Sequence, residues 1–288
     1  MAMSDTPDKI TYYRPNQRHE LGLFKTWLVM LRNVIGSRDL IWQLFKRDFF
    51  AGYKKSFIGI GWRFVAPITG IISWVFLKEM KVLDPGDVGM DYVPYVLTGQ
   101  MVWGLFRGFL GSARSTLSSG GGLVMQVNYP HEALLFKQLA NQMSGFMFAL
   151  ATNLVVLFAY GYVPSWKIIF FPLVILPLFF LGVAMGLILS MVSVVAVDLN
   201  RIVNFGIGLL VWVTPVRFSQ KFPNKILQTI MHWNPLTYFI CSARNVVVFG
   251  TLYEPKMYFI YAGACFVIFM IAWRLFYVSE NKIIERMI

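Results

Sequence analysis

The sequence predicts an all-α polytopic membrane protein with six transmembrane helices, an N-terminal amphipathic interface helix and re-entrant helices on the outer side. Composition is the first observation behind this prediction: of 288 residues, 57% are hydrophobic and only 14% are charged. A soluble domain has about 25% charged residues. The second is a mean hydropathy of +0.59. The third is the pattern, in which long apolar runs alternate with short segments that contain lysine and arginine.

The charge balance is strongly basic, with a formal net charge of +12. In a soluble protein this value would suggest nucleic-acid binding. Here the cations flank apolar runs, so membrane topology and anionic lipid explain them better, and we expect no nucleic-acid partner. The two cysteines and three histidines have no spacing typical of a zinc site or a disulfide framework. The N-terminus is polar through Glu20, so we do not expect a cleavable signal peptide.

The N-terminal part divides into a cytosolic tail, residues 1–36, and an amphipathic interface helix, residues 37–56. Within the tail, residues 21–35 show helical periodicity and predict a membrane-surface helix. Ser37 is suited to cap the interface helix, and Asp39 lies in its first turn, where an anion suits the helix dipole. The apolar side chains that follow recur on one face, as in a helix that lies in the interface plane. Asp48 interrupts that face, and a solvated juxtamembrane helix is the alternative.

The transmembrane domain is predicted at residues 57–277, and residues 278–288 form a second cytosolic tail. Ten lysines and arginines precede residue 56, which places that flank and, by alternation, both termini in the cytosol. Residues 118–137 then form a cytosolic loop. Pro172 and Pro177 predict a bent start for the fourth span, and Asp198 is expected to pair with Arg201 in a tight inner turn. The six spans are predicted at residues 57–77, 93–117, 139–163, 168–197, 202–216 and 257–273.

Residues 217–255 are too polar for a simple span and too apolar for an ordinary loop. They predict helices that dip back into the outer half of the membrane, where protein or a watery cavity must surround them. The spans lack the buried carboxylates that a proton or sodium relay needs. The chain has no Gly-Lys dipeptide, which excludes a P-loop. We therefore expect no ATPase or other enzyme activity in this chain, with any energy supplied by another subunit.

Four segments of the sequence contain, in order, motifs of one family of membrane proteins. The first is KRDFFAGYKKSFIGIGWRFVAP at residues 46–67, and the second is VNYPHEALLF at residues 127–136. The third, VAVDLNRIVNFGIGLLVWVTPV, resembles the inner turn and fifth span of the family. The fourth, HWNPLTYFICSARNVVVFG, resembles its outer Asn-Pro segment. The residues of the first segment that match are Arg47, Asp48, Tyr53, Lys54, Ser56, Gly59, Trp62 and Pro67.

Together these four segments resemble the ABC-2 type permeases that export O-antigen, capsule and teichoic acid polymers. The resemblance implies an ABC-2 (type V) exporter permease fold in the inner membrane. It implies a homodimer that forms a pathway for an undecaprenyl-type lipid-linked polysaccharide, with two separate ATPase subunits that bind ATP and magnesium. It implies no catalytic, cofactor or metal site in this chain. The residues expected to contact the ATPases are Arg47, Asp48, Tyr129, Pro130, His131 and Glu132. The residues expected at the outer gate are Pro215, Asn234, Pro235 and Arg244.

Aromatic rings stack on the C–H faces of sugars with little demand for a particular hydroxyl pattern, which permits sliding. The channel aromatics are therefore predicted among the first and fifth spans, as Trp62, Trp74, Phe205 and Trp212. Lipid-facing or belt aromatics are the alternative. Arg63 is a candidate contact for the lipid pyrophosphate at the inner entrance, with snorkelling to lipid headgroups as the alternative.

Two other functions compete with polysaccharide export. One is an ABC-2 exporter of a small drug or lipid, against which the segment at residues 46–67 argues. The other is a polytopic membrane glycosyltransferase or acyltransferase, which would need positioned acids, histidines or metal ligands near the interface. His131 has Phe136 where an acyltransferase HxxxxD motif would need aspartate.

Overall fold

The computed structural model describes residues 22–51, 58–116, 131–195, 198–221 and 224–287, and their regular structure is helical. Short 3₁₀ turns at Gly59–Gly61 and Trp166–Phe170 precede two of the helices. The helices are α1 Leu23–Gly36, α2 Arg38–Ala51, α3 Trp62–Glu79, α4 Tyr92–Arg114, α5 His131–Ala159, α6 Phe171–Val174, α7 Leu176–Val195, α8 Leu199–Leu210, α9 Lys225–Trp233, α10 Pro235–Val248 and α11 Pro255–Met287.

Helix α4 lies at the centre of the bundle and packs against α3, α5, α7 and α10. Two glycines of α7, four residues apart, allow it to approach α4 closely. A Cβ on Gly186 would lie 2.5 Å from the Leu110 carbonyl oxygen, and one on Gly182 would lie 2.9 Å from the Phe109 Cβ. Small residues at this spacing let membrane helices pack backbone to backbone. These two glycines thus determine how closely α7 packs against α4.

Four helical segments of the described part are long and apolar enough to cross a membrane. They are Gly59–Glu79, Glu132–Ala159, Trp166–Ser193 and Pro255–Ser279. Helix α4 has 23 residues but is less apolar, because it contains Gln100, Arg107 and Arg114. Helix α8 has only 12 residues. Its apolar helices therefore identify the protein as an all-helical, multi-pass membrane protein. The central helix, α4, is also one of its more polar helices.

Helix boundaries differ from the sequence expectations in three places. Helix α5 begins at His131, so the last seven residues of the predicted 118–137 loop are already helical. Helix α11 continues through the predicted C-terminal tail to Met287, because residues 274–287 contain neither proline nor glycine to end it. Helix α8 ends at Leu210, and residues 211–216, the end of the predicted fifth span, form turns instead of helix.

The N-terminal helices are docked on the bundle rather than separate from it. Trp27 of α1 packs against Phe266, Phe269 and Trp273 of α11, with ring centroids 5.6 to 6.3 Å apart. Residues 23–36 of the predicted tail are therefore part of the fold. The predicted bend before the fourth span is present, because a 3₁₀ turn and the four-residue α6 precede α7.

Candidate functional site

An ion pair connects helix α2 to the start of α5. The Asp48 carboxylate accepts from Arg47 Nη2 at 3.0 Å and from Lys137 Nζ at 2.8 Å. The Lys137 side chain is only 9% exposed, whereas that of Arg47 is 59% exposed. Burial by itself raises the pKa of the Asp48 carboxyl, but Lys137 and Arg47 outweigh it and hold the pKa below its ordinary value. Asp48 therefore joins two helices, and Arg47 is left at the surface.

The second part of the expected ATPase contact lies partly outside the described residues. Tyr129 and Pro130 lie outside them, as does the His131 side chain. Glu132 lies in the first turn of α5, where a carboxylate suits the helix dipole. It is 1% exposed, so its side chain is buried within this chain. Beside it, Leu44 of α2 packs against Ala133 and Leu134.

Arg63 joins three helices instead of extending freely to a headgroup. Its Nη1 donates to Ser144 Oγ of α5 at 2.7 Å. Its guanidinium lies 4.9 Å from the Phe49 ring of α2 and 5.2 Å from the Phe148 ring of α5. Cation–π contacts of this kind hold a guanidinium in place more firmly when it is shielded from water.

Three of the predicted outer-gate residues, Pro215, Asn234 and Arg244, meet at one turn, residues 211–218. Asn234 caps α10 by accepting from the Leu236 amide at 3.0 Å. Its Nδ2 donates to the Val213 carbonyl at 3.1 Å and to Thr214 Oγ1 at 2.9 Å. Pro235 is the first residue of α10, where its fixed φ and missing N–H are tolerated. One asparagine thus both starts α10 and holds the turn beneath it.

Arg244 supports the same turn from inside. It is 3% exposed, and its Nη2 donates to the Pro215 carbonyl at 2.9 Å. Its guanidinium lies 3.6 Å from the centre of the Tyr95 ring, and the Tyr95 hydroxyl donates to the Phe218 carbonyl at 2.8 Å. A Cβ on Gly99 would lie 2.5 Å from Arg244 Nη2 and 2.6 Å from the Val216 carbonyl oxygen. Helix α4 therefore needs glycine here for the turn to approach.

The predicted channel aromatics separate into a cluster and two exposed side chains. Trp74 of α3 and Trp212 meet edge to face, with centroids 5.4 Å apart. The Arg217 guanidinium lies 3.9 Å from the Trp74 ring and 5.5 Å from the Trp212 ring. Trp62 is 50% exposed and Phe205 70% exposed.

Sequence reasoning did not single out Arg217, Tyr95, Thr214 or Lys137 as site residues. Arg217 follows an uncharged apolar run and begins a segment that mixes apolar and polar residues. This position is the sequence feature that could have identified it. The other three are ordinary residues of their segments, and only the packing shows what they contact.

Comparisons with known proteins identify the family of the chain. The profile of the ABC-2 type transporter family matches residues 39–248. The O-antigen export system permease protein RfbA of Myxococcus xanthus is 28% identical over 189 residues, which cover 66% of this chain and 72% of that protein. Two Klebsiella pneumoniae proteins of the same name are 24% and 23% identical over 230 and 220 residues, which cover 77% and 74% of this chain and 86% and 82% of those proteins. The matched region includes α2, the Asp48 junction and the Asn234 turn, and the chain belongs to the ABC-2 type transporter family.

Proposed function

We propose that the chain is the membrane-spanning permease subunit of an ABC transporter that exports lipid-linked polysaccharide, of O-antigen or capsule type, across the inner membrane. The observation that supports this most directly is the similarity to three proteins named O-antigen export permeases over 66–77% of the chain. ATP hydrolysis occurs in a separate nucleotide-binding subunit, which holds the ATP and magnesium. Both termini lie in the cytosol.

In the proposed export mechanism, the ATPase acts on the junction between α2 and the start of α5, on the cytosolic side. Force from an ATPase reaches the bundle only through a rigid connection, and the Asp48–Lys137 pair makes one. Exposed Arg47, together with residues 129–131, provides the docking contact. A displacement of α2 is then transmitted to α5, which packs against α4.

The outer end is the turn held by Asn234 and Arg244. In the proposed topology α3, α4, α5, α7, α8 with its following turn, and α11 make six crossings. Helices α9 and α10 dip into the outer half of the membrane as a gate. Because the 211–218 turn depends on side chains of α4 and α10, moving one helix against the other would open or close the exit.

Two copies of the chain form the conduit. In support, only 6% of the apolar stretch that includes α3 is buried within one copy. Its exposed surface is available to lipid or to a second copy. Trp62 and Phe205 add exposed aromatic surface. The Trp74–Trp212 pair offers ring faces on which sugar units slide.

Depletion of the chain in its host tests this function. We expect lipid-linked glycan to accumulate on the cytosolic side and surface polysaccharide to fall, with both restored by a plasmid copy. An exporter of a small drug or lipid would leave both unchanged. A membrane transferase would leave a glycan of altered composition that still reaches the surface. Either of these two results would refute the proposal.

A further inference from the structure

A polar cleft of about 630 Å³ lies between α4 and α8 and extends to the turn after α8. At roughly 30 Å³ per liquid water, this volume holds a hydrated ionic group. Three of its lining side chains are arginines, and none is a carboxylate. The residues that the following argument uses are Gln100, Arg107, Arg114, Asn204, Trp212 and Arg217.

The polar side chains of α4 form a row along the cleft. Gln100, Arg107 and Arg114 are seven residues apart, a spacing that brings each to nearly the same face of a helix. At 1.5 Å per residue, the row is about 21 Å long, compared with a hydrocarbon core of about 30 Å. The cleft therefore has cationic or hydrogen-bonding groups through most of the depth of a bilayer.

The three arginines have no carboxylate partner among the described residues. None of the ion pairs in this part of the chain includes Arg107, Arg114 or Arg217. Arg114 Nη1 donates to the neutral amide oxygen of Asn204 at 2.8 Å. Arg217 Nε is buried without a hydrogen-bond acceptor in the described structure. Unpaired arginine at membrane depth is costly and marks an ion or substrate pathway.

The chemistry of the cleft selects an anion. A cleft lined by one sign of charge between low-dielectric walls concentrates the opposite charge. Guanidinium groups bind phosphate oxygens in pairs of parallel hydrogen bonds, which neither lysine nor a neutral amide reproduces. Arg217, held between Trp74 and Trp212, provides a fixed cation at the outer end of the row.

We propose that the α4–α8 cleft binds the phosphate or diphosphate group of the lipid carrier and passes it along Arg114, Arg107 and Arg217 during export. This assignment rests on the proposed function for the identity of the carrier. Arg63, the residue expected from the sequence to contact the lipid pyrophosphate, donates to Ser144 and contacts two phenylalanine rings. The proposed anion site is instead the row of arginines in the cleft, which have no carboxylate partner in the described structure. The acyl or prenyl chain remains in lipid while the charged group travels in the cleft.

Binding of farnesyl diphosphate to the full chain, in its complex with the ATPase and in phosphatidylcholine nanodiscs, tests the site. Farnesol is the uncharged probe, and trigalacturonic acid is an anion without phosphate. We expect Arg107→Gln to raise the Kd for farnesyl diphosphate about tenfold, the effect of one charge-assisted hydrogen bond. Arg107→Lys should raise it less. Arg201→Gln is the matched control on α8, because Arg201 is exposed and lies outside the cleft.

A second variant keeps the test independent of Arg107. Asn204→Asp places a carboxylate beside Arg114 and should also weaken diphosphate binding. Equal affinity of the parent, Arg107→Gln and Asn204→Asp proteins for farnesyl diphosphate would overturn the proposal. Equal affinity for farnesol and farnesyl diphosphate would overturn it too. Arg107-dependent binding of trigalacturonic acid alone would overturn the phosphate assignment and indicate charged sugars. Depletion that leaves surface polysaccharide unchanged would refute the export function without altering these binding results.

Discussion

Asn234 is the residue through which the outer turn is most easily tested. Its side chain makes three hydrogen bonds: one caps α10, and two hold the Val213 carbonyl and Thr214 Oγ1. Thr214 in turn donates to the Leu210 carbonyl at 2.7 Å, the last residue of α8. Replacing Asn234 by alanine removes the cap and both contacts to the turn. The expected consequence is a less stable fold and a gate that no longer responds to α10.

The magnitude follows from the number of bonds. A lost N-cap costs about 1 kcal/mol. Each of the two remaining bonds contributes about 0.5–1.5 kcal/mol, and values near 0.6 kcal/mol are usual between membrane helices. Asn234→Ala should therefore lower the free energy of unfolding by about 2–3 kcal/mol. Asn234→Ser keeps a capping oxygen but loses the two amide donors, so it should cost about 1 kcal/mol less than alanine.

Asn224 provides a matched control in the same region. Its side chain caps α9 by accepting from the amides of Ile226 and Leu227, at 2.9 and 3.2 Å, in an exposed position. Asn224→Ala should thus report the cap alone, about 1 kcal/mol. Thermal unfolding of the purified protein can be followed with a thiol-reactive dye, because Cys241 and Cys265 are buried until the fold opens. The reasoning is refuted if Asn234→Ala costs no more than Asn224→Ala.

Two further predictions concern the close packing of α4 and the α2–α5 junction. Gly99→Ala should lower the thermal midpoint and reduce export, because its Cβ would clash with Arg244 and the Val216 carbonyl. Gly104→Ala on the same helix has open space and should preserve both. A smaller loss of stability and export for Gly99→Ala than for Gly104→Ala would contradict this. Asp48→Asn should destabilise more than Lys137→Met, because it leaves a buried ammonium group without a carboxylate. Since the folded-state pKa of Asp48 is lowered, its contribution is fully present well above about pH 4, the unfolded value, and is lost as pH falls through the folded value. The difference in midpoint between parent and Asp48→Asn should be constant from about pH 8 to about pH 5 and shrink below about pH 4. A difference that grows at low pH would contradict the sign.

Several site predictions were possible because particular residues have restricted uses. Asn234-Pro235 predicts a helix start in any fold, since asparagine caps well and proline suits the first helical position. Arg244 lies in an apolar segment and was predicted at the outer gate; the packing shows its partners, the Pro215 carbonyl and Tyr95. By contrast, Trp62, Trp74, Phe205 and Trp212 looked equivalent in the sequence. Only Trp74 and Trp212 meet in the structure.

The boundaries were less predictable for a physical reason. A helix that packs along its whole length does not need to end where hydrophobicity ends. Helix α5 therefore begins at His131, before the apolar run, where Ala133 and Leu134 pack against Leu44. Helix α11 continues past its apolar run because residues 274–287 contain neither proline nor glycine. The opposite occurs at α8, which ends at Leu210 because the turn after it is held by Asn234 and Arg244.

Local chemistry alone thus determined that the protein is helical and membrane-embedded, that its fourth predicted span begins with a bend, and which family it resembles, because these properties depend on composition and on residues close in the chain. The tertiary structure alone decided that Gln100, Arg107 and Arg114 line one cleft with Asn204, that Asp48 pairs with Lys137, and that Pro215, Asn234 and Arg244 meet at one turn. The Arg114–Asn204 and Asp48–Lys137 contacts join positions 90 and 89 residues apart. Their formation depends on how closely α4 packs against α7 and α10. The periodicity of a single segment does not predict that packing.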